Sequence, residues 1–488
     1  MLDAVKIHPE DDVMVALHDL PAGTEVEGIV LLEDVKQAHK FAIHDMKAGE
    51  LLHKYGNVIG RLKCDVKKGQ WIHSDELGTA LDEAPTYHYQ KGKVTPKKES
   101  QRTWQGYLRE DGRAGTRNDL FLIPTVGCVN LQLQTLREKF LELHPEMKGR
   151  VQIASHPYGC SQLGGDFENT AALLSGIAHN PNAGGVLVLG LGCENNRLSE
   201  FVKRLSDIPE KRLRYFNSQD HEDEIEHGLV MLEELYFNMK GDVRVTLPLS
   251  KLTLGLKCGG SDGFSGLTAN PLLGLAADEI GACGGQVGLT EVPEMFGAEQ
   301  DLMNRAKDEA TYKKVVGLIE NFKAYYARNN QPCYENPSPG NKDGGITTLE
   351  EKSNGCVLKG GHLEVEDVLD YGERFRSPGL SLLNGPGNDI VASTNLLAAG
   401  ATIICFTTGR GTPFSSIVPT LKLATNHKLA SFKSNWIDFD CQVVFEKGFE
   451  EAKEELLDLI VRVASGEKSK GEEHGMAQIA LFKTGVTL

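Results

Sequence analysis

The chain has 488 residues, 40% of them hydrophobic and 25% charged, with a formal net charge of −16. That length suits two or three folded domains. The acidic balance argues against nucleic acid or an anionic membrane as a partner, so an anionic substrate would have to be held by locally gathered cations. No apolar stretch approaches the ~20 residues of a membrane span. The start, MLDAVKIHPEDD, places acids where a secretory leader needs basic residues and an apolar core, so a cytoplasmic location is expected. Ten scattered cysteines include no Cys-x-x-Cys pair, which excludes the common zinc ribbons. In a reducing compartment they read as thiols, or as metal ligands assembled by the fold.

Residues 1–84 read as a small β module. Short apolar runs at 13–17, 28–32, 41–46, 51–55 and 69–72 alternate with Gly turns such as Pro21-Ala22-Gly23-Thr24 and Lys47-Ala48-Gly49-Glu50. His39-Lys40, Lys54-Tyr55 and His73 sit at turns or strand edges and are candidates for contacting an anion. Residues 85–103 lack apolar periodicity, carry Pro85, Pro96 and a basic cluster, and read as an extended linker.

From 104 to 245, apolar strands alternate with helical stretches expected at 129–143, 169–178 and 222–239. From 246 to 488 the alternation repeats. A strand LTLGL leads into Cys258-Gly-Gly-Ser261-Asp262, and a helix is expected from about Ala269. Further strands deliver Glu291, Asn388-Asp389 and Thr408-Gly409-Arg410, and an amphipathic helix is expected at 449–464. This pattern means α/β layers with mostly parallel sheets, whose strand-end loops share one face.

Four apolar runs end in a cysteine: Cys128, Cys160, Cys193 and Cys258. Together they suggest one thiol-lined rim with His156 and Glu194 beside it. Glu291 and Asp262 add carboxylates, and Ser261 and Thr408 add hydroxyls. Asn388 opens a helix whose free N–H groups can hold an anion. Arg410 can grip a carboxylate through two parallel hydrogen bonds. The phosphate-binding loop, the serine-hydrolase elbow and the His-Glu-x-x-His zinc motif are all missing. What remains is metal-assisted chemistry on a small polar anion.

The stretches PTVGCVN, SHPYGCSQLG, VLVLGLGCENN, CGGSDGFSGLTANP, TEVPEMFGAEQ, ENPSPGNK, GGITTLEEKS, CFTTGRGTPF and FKTGVTL resemble the altronate/galactarate dehydratase family of sugar-acid dehydratases over nearly the whole chain. The resemblance implies an N-terminal β-clip (SAF) domain, a middle domain used for contact in a homodimer, and a C-terminal Rossmann-like domain that holds metal. It implies loss of water from D-altronate to give 2-dehydro-3-deoxy-D-gluconate, with ferrous iron (or manganese) as cofactor. SHPYGCSQ and VPEMFGAEQ favour the altronate branch over galactarate. A sulfolactate sulfo-lyase splits these parts between chains, unlike this fused one. The family's usual His-x-His-Asn is here His73-Ser74-Asp75-Glu76, which leaves His73 available.

On this reading the base and the acid come from His156, Glu194, Glu291 and Asp262. The metal is either a single ion on such groups or an iron–sulfur cluster on Cys128, Cys160, Cys193 and Cys258. A non-catalytic sugar-acid sensor on the same scaffold is the alternative of a different class.

Overall fold

The computed structural model describes residues 2–81 and 85–488; the domain boundary expected at residue 84 lies outside them. The N-terminal module is all β. One antiparallel sheet runs Ala4–Val5, Val13–Ala16, Lys40–Ala42, Trp71–Ile72, and a second runs Leu51–Lys54, Asn57–Leu62, Leu77–Gly78. Three turns share one construction. Thr24 N donates to Pro21 O, Glu50 N to Lys47 O and Gln70 N to Lys67 O, with Gly23, Gly49 and Gly69 at φ of 84°, 89° and 82°. A type II turn demands that positive φ at its third residue, which only glycine adopts without strain.

Residues 85–103 have no helix or strand until Thr103, as the composition predicts. They are not a free spacer, however. Tyr87 donates to Glu299, Tyr89 to Ala306 O and Thr95 to Asp278, so the segment is stitched along the C-terminal domain.

The middle domain is a four-stranded parallel sheet in the order Val151–Ile153, Asp119–Pro124, Ala183–Gly190, Leu213–Asn217. Helices Asn130–Leu143, Gly164–Ala178 and Glu224–Met239 pack with it, close to the expected spans. Thr103–Leu108 pairs antiparallel with Val245–Pro248 and clamps the domain's entry to its exit.

The C-terminal domain holds a seven-stranded parallel sheet. Its order is Val365–Leu369, Gly379–Leu383, Gln286–Leu289, Thr253–Cys258, Ile403–Thr408, Thr420–Ala424, Phe439–Asp440. The two α/β domains share one apolar cluster, where Leu173, Leu174 and Ile177 meet Leu396, Leu397 and Ala398. There a Cβ on Gly176 would lie 2.4 Å from Ala398 O, so only glycine lets the two helices close.

Strand order reverses between Thr253–Cys258 and Ile403–Thr408. Such a switch point leaves a crevice outside the carboxyl ends of the strands. The loops at 258–262 and 408–411 both open into it.

Candidate active site

A cavity of about 870 Å³ lies at this crevice, between the β module and the C-terminal domain. The C-terminal domain supplies Asp262, Asp343, Arg410 and Lys428 to its wall, and the β module supplies Lys36 and His39. Arg410 is exposed, and its guanidinium has no hydrogen-bond or ion-pair partner among the described residues. Asp262 is buried, and its carboxylate accepts from Thr425 Oγ1 (2.9 Å), Asn426 Nδ2 (3.1 Å) and Phe264 N (3.1 Å). Burial outweighs these donors and pushes its pKa up to about 6.

His39 accepts a hydrogen bond at Nδ1 from Trp71 Nε1 (3.1 Å), so its proton is on Nε2, which donates to Asp343 O (3.2 Å). Burial pulls its pKa down to about 4, and the ring is neutral at pH 7. Beside it His73 stacks on Trp71, and its Nε2 lies 2.9 Å from Lys342 O.

The module is fixed over the cleft by a buried ion triad. Lys40 and Lys54 each place Nζ 2.8 Å from a different oxygen of Glu351. Glycine makes the docking possible. A Cβ on Gly263 would fall 2.0 Å from Ala38 O, and one on Gly266 2.5 Å from the Tyr55 hydroxyl. The glycines of SDGFSG are thus set by a neighbouring domain as well as by their own turn.

Beneath the 258–262 loop lies a buried charge cluster. Lys257 contacts Glu291 and stands 3.0 Å from Asp389, which is partly exposed. Lys359 reaches Glu291 (3.4 Å) and Cys356 Sγ (2.6 Å), and Lys352 reaches Glu294 (2.9 Å). Cys258 Sγ meets Ser261 Oγ at 2.7 Å, while its backbone N–H donates to Glu291 (3.1 Å). Glu291 has φ 71°, a left-handed conformation rare outside glycine, and such strain gathers at functional sites. Burial pushes Glu291 up to about 7 against the pull of two lysines. Burial also disfavours charge on Glu294, but three lysines outweigh it and hold the group down at about 2.

Donor atoms of Glu291, Glu294 and Cys356 lie within 4.8 Å of one another, as a metal trio would require. The surroundings do not fit a divalent ion. Every one of these donors already carries an ammonium group, so a dication would enter against three positive charges.

Three family models match the chain in order. The altronate/galactarate dehydratase SAF domain covers residues 2–80, the D-galactarate dehydratase/altronate hydrolase second domain 106–240, and the D-galactarate/altronate dehydratase C-terminal domain 249–487. The altronate dehydratase of Bacillus subtilis is 46% identical over 497 residues, spanning 100% of both chains. The chain belongs to the altronate/galactarate dehydratase family. The altronate dehydratase of Escherichia coli is 47% identical over 99% of each chain. The L-threo-forming galactarate dehydratase of the same organism is 34% identical over 98% of this chain and 96% of its own.

Among the sequence candidates, the structure brings Glu291, Asp262, Ser261, Arg410 and His39 to the family's C-terminal domain and its cleft. It does not bring His156 or Glu194 there. His156 is buried in the middle domain with Nε2 2.9 Å from Pro124 O, and burial lowers its pKa to about 4. Glu194 accepts from Thr125 Oγ1 (2.6 Å) and Gly192 N (2.7 Å), closing its own loop.

The four-cysteine rim also divides. Cys128, Cys160 and Cys193 are exposed on the middle sheet, whereas Cys258 is buried at the C-terminal one. A strand-end cysteine marks a rim, but two sheets have two rims.

Lys54 is spent on Glu351 and has no free charge to offer. His73 holds the 338–345 loop. Thr408 Oγ1 accepts from Gly411 N (2.8 Å) within its own turn, and Asn388 caps the helix Asp389–Ala399 through Val391 N (3.1 Å).

Sequence reasoning missed Lys257, Lys352, Cys356, Lys359 and Glu351; Lys40, expected beside His39 as an anion contact, is instead paired with Glu351 (2.8 Å). A signal was present for one of them: Lys257 sits inside the apolar strand LTLGLKC. A lysine at a buried strand position must have a partner.

Proposed function

We propose that this chain is a hydro-lyase that removes water from D-altronate and releases 2-dehydro-3-deoxy-D-gluconate. The observation that carries the substrate is the end-to-end likeness, 46% and 47%, to two altronate dehydratases, against 34% to a galactarate dehydratase. The cleft supports the chemistry. Elimination takes the proton from C2 and breaks the C3–O bond. The hydroxyl leaves as water, and the enol left behind tautomerises to the 2-oxo acid.

Arg410, unpartnered on the wall, grips the substrate carboxylate, and Lys36 and Lys428 add positive charge along it. Asp262, ionised above about pH 6, takes the C2 proton. Lys257 and Lys359 lend positive charge from behind the 258–262 loop as the carboxylate gains electron density. Glu291, near 7, is held by Lys257, whose ammonium also reaches Asp389 (3.0 Å).

The ten free cysteines suit a reducing cytoplasm. Leu131, Val230 and Phe237 are exposed on two middle-domain helices and support a face for a second copy of the chain. None of the helices is long and apolar enough to cross a membrane among the described residues.

The test is turnover. The full chain, purified without oxygen, is offered D-altronate, galactarate and other aldonates, and the 2-oxo product is measured. Preference for D-altronate is expected. Faster turnover of galactarate, or binding without turnover as a sensor would show, refutes the proposal.

A further inference from the structure

The middle domain carries a second constellation that the cleft chemistry does not use. Cys160, Cys128 and Cys193 follow Val151–Ile153, Asp119–Pro124 and Ala183–Gly190, three consecutive neighbours in the sheet. Adjacent strands are ~4.8 Å apart, so their carboxyl-end loops must be neighbours as well. All three thiols are exposed. That is unusual, because free cysteine is among the most buried residue types.

The loops are braced against one another. Gly127 N donates to Tyr158 O (2.8 Å), Asn196 N to Gly159 O (3.0 Å) and Ser161 N to Asn195 Oδ1 (2.8 Å). Glycine stands immediately before each cysteine, at Gly127, Gly159 and Gly192. A Cβ on Gly159 would lie 2.0 Å from Thr125 O, and one on Gly127 2.8 Å from His156 O. Gly192 takes φ 126°. The backbones are pressed together at the steps that present Cys128 and Cys160, while Gly192 stands against the Gln219 side chain.

Three of the buried polar groups underneath are already paired. His156 pairs with Pro124 O, Glu194 with Thr125 and its own loop, and Asn196 Nδ2 with Thr125 O (3.2 Å). None of these three is left over as a ligand; Asn130 Oδ1 stays without a partner among the described residues, and the soft donors of this rim are the thiols. A mononuclear thiolate site with metal–sulfur bonds of ~2.3 Å needs its sulfurs under ~4 Å apart. Among the described residues these three do not form a group within 4.8 Å. Three soft thiolates presented by neighbouring loops match the cysteine ligand set of an iron–sulfur cluster.

We propose that Cys128, Cys160 and Cys193 bind an iron–sulfur cluster through three thiolates, leaving one iron to a non-protein ligand. On binding, each thiol gives up its proton and forms one Fe–S bond. The site is separate from the cleft, and Cys258 takes no part. The proposal does not depend on which sugar acid is the substrate.

The test uses the full chain expressed and purified without oxygen, with iron, zinc and acid-labile sulfide measured per chain. Labile sulfide in fixed ratio to iron, with broad visible absorbance, is expected. Cys128→Ser, Cys160→Ser and Cys193→Ser should each lose sulfide and absorbance, while Cys64→Ser and Cys258→Ser keep both. A second readout needs no variant. Alkylation mapped by mass spectrometry should spare the three thiols in the protein as purified and modify all three after chelator treatment. Zinc without sulfide, a disulfide between any two of the three, or full alkylation of wild-type protein before chelation would each overturn the site.

Discussion

Replacing Glu351 should loosen the β module from the cleft. Glu351 is fully buried and holds two equally buried ammonium groups, each at 2.8 Å. At an effective dielectric near 20, each such contact is on the order of 6 kcal/mol of attraction, most of it cancelled by desolvation. Breaking a buried pair from one side costs about 3–5 kcal/mol. Burial already pulls Lys40 down to about 8, so without Glu351 it can shed its proton near neutral pH. The loss for Glu351→Ala should therefore fall at the low end, about 3 kcal/mol. Changing all three residues to Met should recover most of that loss, because no buried charge is left alone.

The pH dependence has two limbs. Two lysines hold the Glu351 carboxyl well below its ordinary 4.5, although burial works against its charge. Its contribution is complete above about pH 4.5 and is lost as pH falls further. Lys40 is lowered from 10.5, so between about 8 and 10.5 the unfolded chain binds more protons and this group's contribution to stability rises with pH. Denaturant unfolding combined with hydrogen exchange of peptides from residues 2–81 measures both effects. A loss under ~1 kcal/mol for Glu351→Ala, the range of an exposed pair, would refute the reasoning.

Other outcomes follow from the same geometry. Arg410→Ala should raise KM for the sugar acid by tenfold or more, since a hydrogen bond to a charged group is worth about 1.5–3 kcal/mol; Arg410→Lys should recover only part, and unchanged kinetics would remove Arg410 from the site. Asp262→Asn should cut kcat by about 10²–10⁴ and abolish the acid limb of the kcat/KM profile near pH 6, where the wild-type base protonates. A surviving limb at that pH would assign it to another group. Gly263→Ala places a Cβ 2.0 Å from Ala38 O and should cost about 1–3 kcal/mol with loss of activity, read by thermal unfolding and turnover. A fully active, equally stable Gly263→Ala protein would show that the module need not sit where it does.

The sequence alone determined the elements and the order of the domains. Helix 449–464 and strand 379–383 fall on the expected residues, because a strong apolar period or a run bounded by turn residues is a local property. It also determined that cysteines, Asp262, Glu291 and Arg410 stand at strand ends, since the switch from strand to loop is written in neighbouring residues.

Only the tertiary structure decided which strand ends meet. His156 and Glu194 follow the same local rule as Glu291, yet they belong to a different sheet, and their own loops consume their hydrogen bonds. Lys54 sits at the end of a strand like a residue free to meet an anion, yet Glu351, nearly three hundred residues away in the chain, claims it. Burial and charge partners are set by contacts between distant segments, and a single sequence does not print those contacts. The lysines that neutralise Glu291 and Glu294 come from a strand and a helical segment about a hundred residues apart, and only their convergence under one loop makes them a site.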